Sequence, residues 1–186
     1  MNAILECIKS RRSVRSYKPE QVKTEEVQAI VEAGLWAPSA VNQQSWHVTV
    51  VQNQEVLTKL SQGTRAHLKK SGNTRYAQLA ENDNFSVFHH APTAIIVSGK
   101  EDAILIQADG AALMQNMLLA SESLGLGSCW VNMVIFMLAS PDASAWLAEL
   151  GIPQGYKPLY SMALGYPAGE KRQGPERKEN TVNYIK

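Results

Sequence analysis

The sequence predicts an α+β fold or a three-layer α/β sandwich built as one domain. Runs rich in β-branched and other apolar residues at 46–51, 93–98, 127–131 and 158–164 alternate with stretches whose apolar residues recur at helical spacing. A chain of 186 residues suits a single domain and is long enough to bury a sizeable core. Neither an internal repeat nor a linker breaks the alternation.

Bulk composition narrows the function classes. With 18 basic against 17 acidic side chains, no global field steers the protein towards nucleic acid, so any anion site must be local. No apolar run approaches the ~20 residues that cross a bilayer, and the first residues lack the charged start and long apolar run of a signal peptide. Cys7 and Cys129 stand far apart, at no metal or redox spacing, and two free thiols fit a reducing cytoplasm.

Taken in order, Ile4, Leu5 and Ile8 predict a short amphipathic helix over residues 2–9. Thr24 reads as the N-cap of the next helix, with Glu25 and Glu26 in its first turn and Val27, Ile30, Val31 and Leu35 on its apolar face. Pro38 disfavours helical geometry at Ala37 and helps to end it. The strand 46–51 carries His47, read as a structural histidine. Val56, Leu57 and Leu60 open another helix, and residues 71–84, rich in Asn, Gly, Ser and Asp, read as a mobile connection. His89 and His90 precede the buried strand 93–98; in extended chain they point apart and cannot share one metal, so no metal is expected. The longest helix is expected from about Asp102 to Leu124, apolar over much of its circumference and therefore buried on several sides. Gly125 fits a left-handed helix end before the strand at 127. Pro141 to Leu150 reads as a helix, and 158–164 as the last strand. The tail 167–186 combines a disordered composition with the strand-like Thr181-Val182-Asn183-Tyr184-Ile185, and is expected to be an extended arm.

Two short stretches carry the chemistry. Arg11-Arg12-Ser13-Val14-Arg15 places three guanidinium groups and a hydroxyl within five residues, a set of planar forks and a neutral donor that suits a terminal phosphate. A solvated basic turn is the alternative. Pro38-Ser39-Ala40-Val41-Asn42-Gln43-Gln44-Ser45-Trp46 packs five hydroxyl or amide side chains between a helix and a strand, supplying the mixed donors and acceptors that a heteroaromatic ring edge needs. Gly125 and Gly127 lack the third glycine and the following helix of a dinucleotide fingerprint. No nucleophile, base and orienting acid stand at recognisable spacing, which leaves hydrolysis without support.

Together the two stretches, with Gly125-Leu126-Gly127-Ser128-Cys129-Trp130-Val131-Asn132 and Leu164-Gly165-Tyr166-Pro167, resemble the nitroreductase family of FMN-dependent oxidoreductases. Two positions depart from the family pattern, Ser45 where proline is frequent and Asn132 where glycine is common. The resemblance implies a three-layer α/β/α sandwich with a central mixed sheet flanked by helices. It implies an enzyme that passes hydride from NAD(P)H through FMN to nitroaromatics, quinones or similar acceptors by a ping-pong mechanism. It further implies that Arg11, Ser13 and Arg15, with Arg12 near and Arg172 or Arg177 from the tail, hold the FMN phosphate. Pro38, Ser39, Ala40 and Asn42 would reach the flavin from the other subunit of a homodimer packed on the long helix, while Trp130, Val131 and Asn132 run along its ring. The alternatives are a non-catalytic FMN-binding protein and a specialised activity of the family, such as flavin ring fragmentation or reductive dehalogenation. The expected partners are a second copy and a small aromatic acceptor, with no nucleic acid and no membrane.

Overall fold

The apolar run 94–97 lies at the middle of the molecule because both of its faces are buried. The computed structural model describes residues 2–171 and 173–186. Its four strands, β1 (Trp46–Val51), β2 (Thr93–Lys100), β3 (Gly127–Trp130) and β4 (Tyr156–Gly165), form one sheet in the order β1-β2-β4-β3. The helices are α1 (Ala3–Ser10), α2 (Thr24–Leu35), α3 (Gln54–Lys70), α4 (Thr74–Glu81), α5 (Ile106–Ser123), α6 (Met133–Leu138) and α7 (Ser144–Glu149).

Side-chain alternation along β2 creates the layers. Ile95 and Val97 pack with Ile30 of α2 and with Leu113 and Met117 of α5. Ala94 and Ile96 face the other way, onto Leu57 and Leu60 of α3 and Val134 and Leu138 of α6. Each fully buried aliphatic side chain contributes roughly 1.5–3 kcal/mol, so a strand apolar on both faces anchors both helical layers. Gly34 lets α2 lie close to α5, since a Cβ there would fall 2.7 Å from Met117 Cγ.

The three-layer α/β/α sandwich is present, but its adjacent strands are all antiparallel where a mixed sheet was expected. The reason lies in the crossover. β2 and β3 run in the same direction and are joined through α5, yet β4 inserts between them and pairs antiparallel with both. The parallel contact that does occur is the isolated Ser13–Ser128 bridge at the free edge of β3.

Several boundaries differ from expectation. Residues 71–84 are not an open connection: α4 forms there because the Asn73 side chain accepts from the N–H groups of Arg75 and Tyr76, and Ala80 is fully buried. The polar composition that suggested a loop contains its cap. α2 begins at Thr24 with Lys23 as its cap, whose N–H donates to Glu26 Oε2 at 3.1 Å. α5 begins at Ile106 rather than near 102, after Leu105 turns left-handed at φ 54°. Residues 133–138, given no element from the sequence, form α6, and the last helix shrinks to Ser144–Glu149. Nor are His89 and His90 extended: both have left-handed φ, 54° and 58°, in a turn closed on Ser86. His47 packs edge-on to Tyr156 with ring centroids 6.2 Å apart, the structural role expected of it. No helix among the described residues is long and apolar enough to cross a membrane.

Candidate functional site

The arginine segment follows α1, whose last N–H bond runs from Arg11 N to Cys7 O. It then lies along the free edge of β3, held by Val14 N–H donating to Ser128 O at 2.9 Å and by the Ser13–Ser128 bridge. Gly127 makes this approach possible, because a Cβ there would meet the Val14 side chain at 2.8 Å. The Tyr17 hydroxyl donates to Val14 O at 2.5 Å and locks the far end; burial drives that phenol's pKa upwards.

Between this segment, the end of α5 and the start of the tail lies a cavity of about 500 Å³. It is lined by Arg12, Ser13 and Arg15, by Gly125 to Gly127 and by Pro167 to Lys171, among others. Among the described residues the buried Arg12 Nε has no hydrogen-bond partner, while its Nη1 donates to Arg11 O at 2.5 Å and the Gly174 backbone packs against its guanidinium. An unpartnered buried donor on a charged group is costly unless an acceptor arrives. Glu122, the acidic group nearest the end of α5, accepts from Ser10 Oγ at 2.7 Å and pairs with Lys171, so its charge is already compensated. Burial, the Arg15 charge and His90 together lower the His89 pKa, and the Cys129 thiol is pushed up by burial against the opposing pull of Arg15, Ser13 and Arg11. Cys129 is therefore a packed thiol rather than a nucleophile.

The amide-rich segment lies at the opposite end of α5. Residues Ala40–Asn42 form a single 3₁₀ turn, and Val41, Asn42 and Gln44 have φ of 46°, 55° and 47°. A left-handed β-branched residue such as Val41 is an uncommon strained conformation. The turn is tied internally by Gln44 N–H to Ser39 Oγ at 3.0 Å and Gln44 Nε2 to Asn42 Oδ1 at 2.8 Å. Two further bonds tie it to the start of α5: Ile104 N–H donates to Gln43 Oε1 and Ala40 N–H to Asp109 Oδ1, both at 3.0 Å. Pro38 and Asn42 are exposed, Ser39 and Ala40 half-buried. Ser45, the departure from proline, donates its hydroxyl to Gln43 O and accepts from Lys100 N–H through its carbonyl.

The structure thus unites part of the expected set and separates the rest. Arg12, Ser13 and Arg15 share the cavity; Arg11 is half-buried at the end of α1 and is not among its lining residues. Arg177 is exposed on the tail, and Arg172 lies outside the described residues. From Asp109 to Glu122, α5 spans about 20 Å at about 1.5 Å per residue, which keeps Pro38–Asn42 far from the arginines of their own chain. β3 starts beside the arginines and ends at Trp130, which packs edge-on to Tyr160 with centroids 4.8 Å apart. Asn132 is tied to it: the Trp130 indole N–H donates to Asn132 Oδ1 at 2.8 Å. The Val131 N–H, a candidate for facing a ring, donates to Ser161 O at 2.8 Å, and the Ser161 hydroxyl donates to Val131 O. That N–H is committed to the sheet because Val131 continues the β3 line. Sequence reasoning did not single out Asp109 or Glu122 as site residues; the available signal was an acid inside an otherwise apolar helix.

Comparison with known proteins gives a consistent result. The family model for the nitroreductase family matches residues 8–166. A crystal structure of a nitroreductase with bound FMN from Bacteroides fragilis superposes with a TM-score of 0.94 at 34% identity, covering 100% of both chains. An NADPH-flavin oxidoreductase from Vibrio harveyi is 30% identical over 100% of this chain and 72% of its own length. An FMN reductase [NAD(P)H] from Bacillus subtilis is 28% identical over 99% of this chain and 74% of its own.

Proposed function

This chain belongs to the nitroreductase family, and on that premise we propose that it is an FMN-dependent enzyme that moves reducing equivalents from NAD(P)H to nitroaromatics, quinones or similar planar acceptors. The observation that carries this reading is the cavity at Arg12, Ser13 and Arg15, where the buried Arg12 Nε has no acceptor. Its donor set fits a phosphate monoester: planar guanidinium forks, a hydroxyl, and an acidic neighbour already neutralised by Lys171. Its volume falls in the range of cofactor sites. FMN, when bound, supplies the two-electron chemistry that no side chain here provides.

The protein's own residues would bind, orient and exclude. Arg12, Ser13 and Arg15 hold the phosphate, with Arg11 and the tail's Arg177 or Arg172 completing the anion site. Trp130, Val131 and Asn132 present a wall along the ring, and the Trp130–Asn132 bond fixes the indole edge. Ser39 and Asn42, with Pro38 and Ala40 setting their backbone, offer donors and acceptors to a polar ring edge. The separation of about 20 Å along α5 supports the reading that they serve a site on a second copy. A symmetric homodimer gives two equivalent sites of this kind. Trp36 and Val41, each 81% exposed, and Leu105 at 67% supply apolar surface for such a contact. The tail from 167, with Val182, Tyr184 and Ile185 exposed, is the arm that embraces the second copy. The whole of 1–186 then acts as one domain, and the free thiols Cys7 and Cys129 suit a cytoplasmic setting.

Nicotinamide and acceptor would occupy the same face in turn, which forces ping-pong kinetics. Two measurements test the reading. The absorbance spectrum of purified protein should show bound flavin, and double-reciprocal plots of NAD(P)H oxidation at several acceptor concentrations should be parallel. Lines converging left of the axis would show a ternary complex and reject the shared pocket; a colourless protein that does not bind added FMN would reject the cofactor.

A further inference from the structure

Asp109 is a buried acid that the phosphate chemistry does not use. It lies in the first turn of α5, 5% exposed, on a helix whose other buried positions are Ile106, Gly110, Leu113, Met114, Met117, Leu118 and Ser121. One carboxylate oxygen accepts from Ala40 N–H at 3.0 Å, and the other, Oδ2, is buried with no hydrogen-bond partner among the described residues. Desolvating a carboxylate and satisfying only half of it costs more than an alanine or leucine would at the same place. What it holds is the turn 39–44, where Val41, Asn42 and Gln44 all occupy the left-handed region. Such conformations persist only where the surroundings over-determine them. The other ties to this turn are its own backbone bonds, Asn42 N–H to Ser39 O and Gln43 N–H to Ala40 O, the Ser45 hydroxyl on Gln43 O, and bonds of the Ser39, Asn42 and Gln43 side chains, which are half-buried or exposed. Asp109 supplies the buried tie, and it comes from the neighbouring helix.

We propose that Asp109 is a positioning residue: by accepting the Ala40 N–H it fixes the strained turn 39–44 in the form that presents Ser39 and Asn42 to a flavin. Its role is that of a hydrogen-bond acceptor. The clause concerning flavin rests on the function proposed above, whereas the ordering of the turn does not.

Three full-length variants separate these parts. Asp109→Asn keeps an acceptor for Ala40 N–H and loses the charge. Asp109→Ala removes the acceptor. Ala40→Pro removes the donor from the loop side, at a half-buried position following the extended Ser39. Amide hydrogen exchange of Val41–Gln44 without added flavin reads the turn, and FMN titration reads its consequence. Exchange should accelerate at least tenfold in Asp109→Ala and Ala40→Pro and stay within threefold of wild type in Asp109→Asn. FMN affinity should fall about tenfold in the first two and recover in Asp109→Asn. Exchange in Ala40→Pro equal to wild type overturns the proposal even if Asp109→Ala fails to fold, and so does Asp109→Asn behaving like Asp109→Ala. Accelerated exchange in Asp109→Ala and Ala40→Pro, with a wild-type protein that binds no FMN, would reject the cofactor reading while leaving the positioning role in place.

Discussion

The two ends of α5 are built on opposite principles. At the C-terminal end, beside Glu122, there is space and unspent charge: a cavity of about 500 Å³, lined by Arg12, Ser13 and Arg15 among others, and a buried guanidinium nitrogen with no acceptor among the described residues. At the N-terminal end, beside Asp109, a tightly bonded turn under backbone strain pushes Pro38, Val41 and Asn42 outwards. On the function proposed above, the first end would receive a group and the second would present side chains to one. A receiver and a presenter about 20 Å apart in one chain would then complete each other between the two chains of the proposed homodimer.

The sharpest way to break this comparison is to deny the presenter its partner. Trp36→Glu with Val41→Asp places charge on two side chains that are each 81% exposed and apolar. In sedimentation the double variant should be monomeric, and its flavin occupancy should drop to the limit of detection. A monomer that keeps full flavin at low concentration would show that each chain completes its own site.

Next in size is the receiver. Arg15→Ala removes a charge-assisted contact worth roughly 1.5–3 kcal/mol, so FMN affinity should fall by about one to two orders of magnitude with the thermal midpoint little changed. Fluorescence titration measures it, and unchanged affinity would move the phosphate elsewhere.

Mixing the two lesions sharpens the comparison further. Arg15→Ala and Asn42→Ala proteins, combined and allowed to exchange subunits, should regain one intact site per heterodimer. Turnover should then rise to about a quarter of wild type, because half of the dimers are mixed and each carries one good site. No recovery would place both residues in the same site of the same chain.

The smallest effect is a pH dependence of stability through His89, which feels the Arg15 charge. Burial, the Arg15 charge and His90 lower the His89 pKa below its usual 6.5, so the unfolded chain takes up the proton more readily than the folded one. His89 therefore costs no stability above about pH 6.5, and its penalty grows as pH falls from there towards its folded value. Urea midpoints between pH 7 and 5 should decline less steeply in His89→Gln than in wild type; equal slopes would remove His89 from that balance.

Much of this was legible in residues alone. The strand at 93–98 was readable because its middle, Ala94 to Val97, is apolar at every position and has nowhere to go but the centre of a sandwich, and Gly125 announced its left-handed φ of 74°. α4 was missed because Asn73 was counted as loop composition rather than as a cap, and α6 because an unbroken apolar stretch of six residues has no period to read. Asp109 was visible only as an interruption of a hydrophobic helix. Nothing in its spacing tells which N–H it accepts, since its partner Ala40 is distant in sequence.

By itself, then, the sequence determined the layers, the basic and amide-rich segments and the family, because hydrophobic period, turn chemistry and local clusters of like function are short-range properties. Tertiary structure decided where those segments go: β4 inserted between β2 and β3 to make every neighbouring pair antiparallel, and α5 set the arginines and the strained turn at its two ends. Those outcomes depend on which distant surfaces bury one another, and a long buried helix converts that choice into a distance that no local pattern encodes.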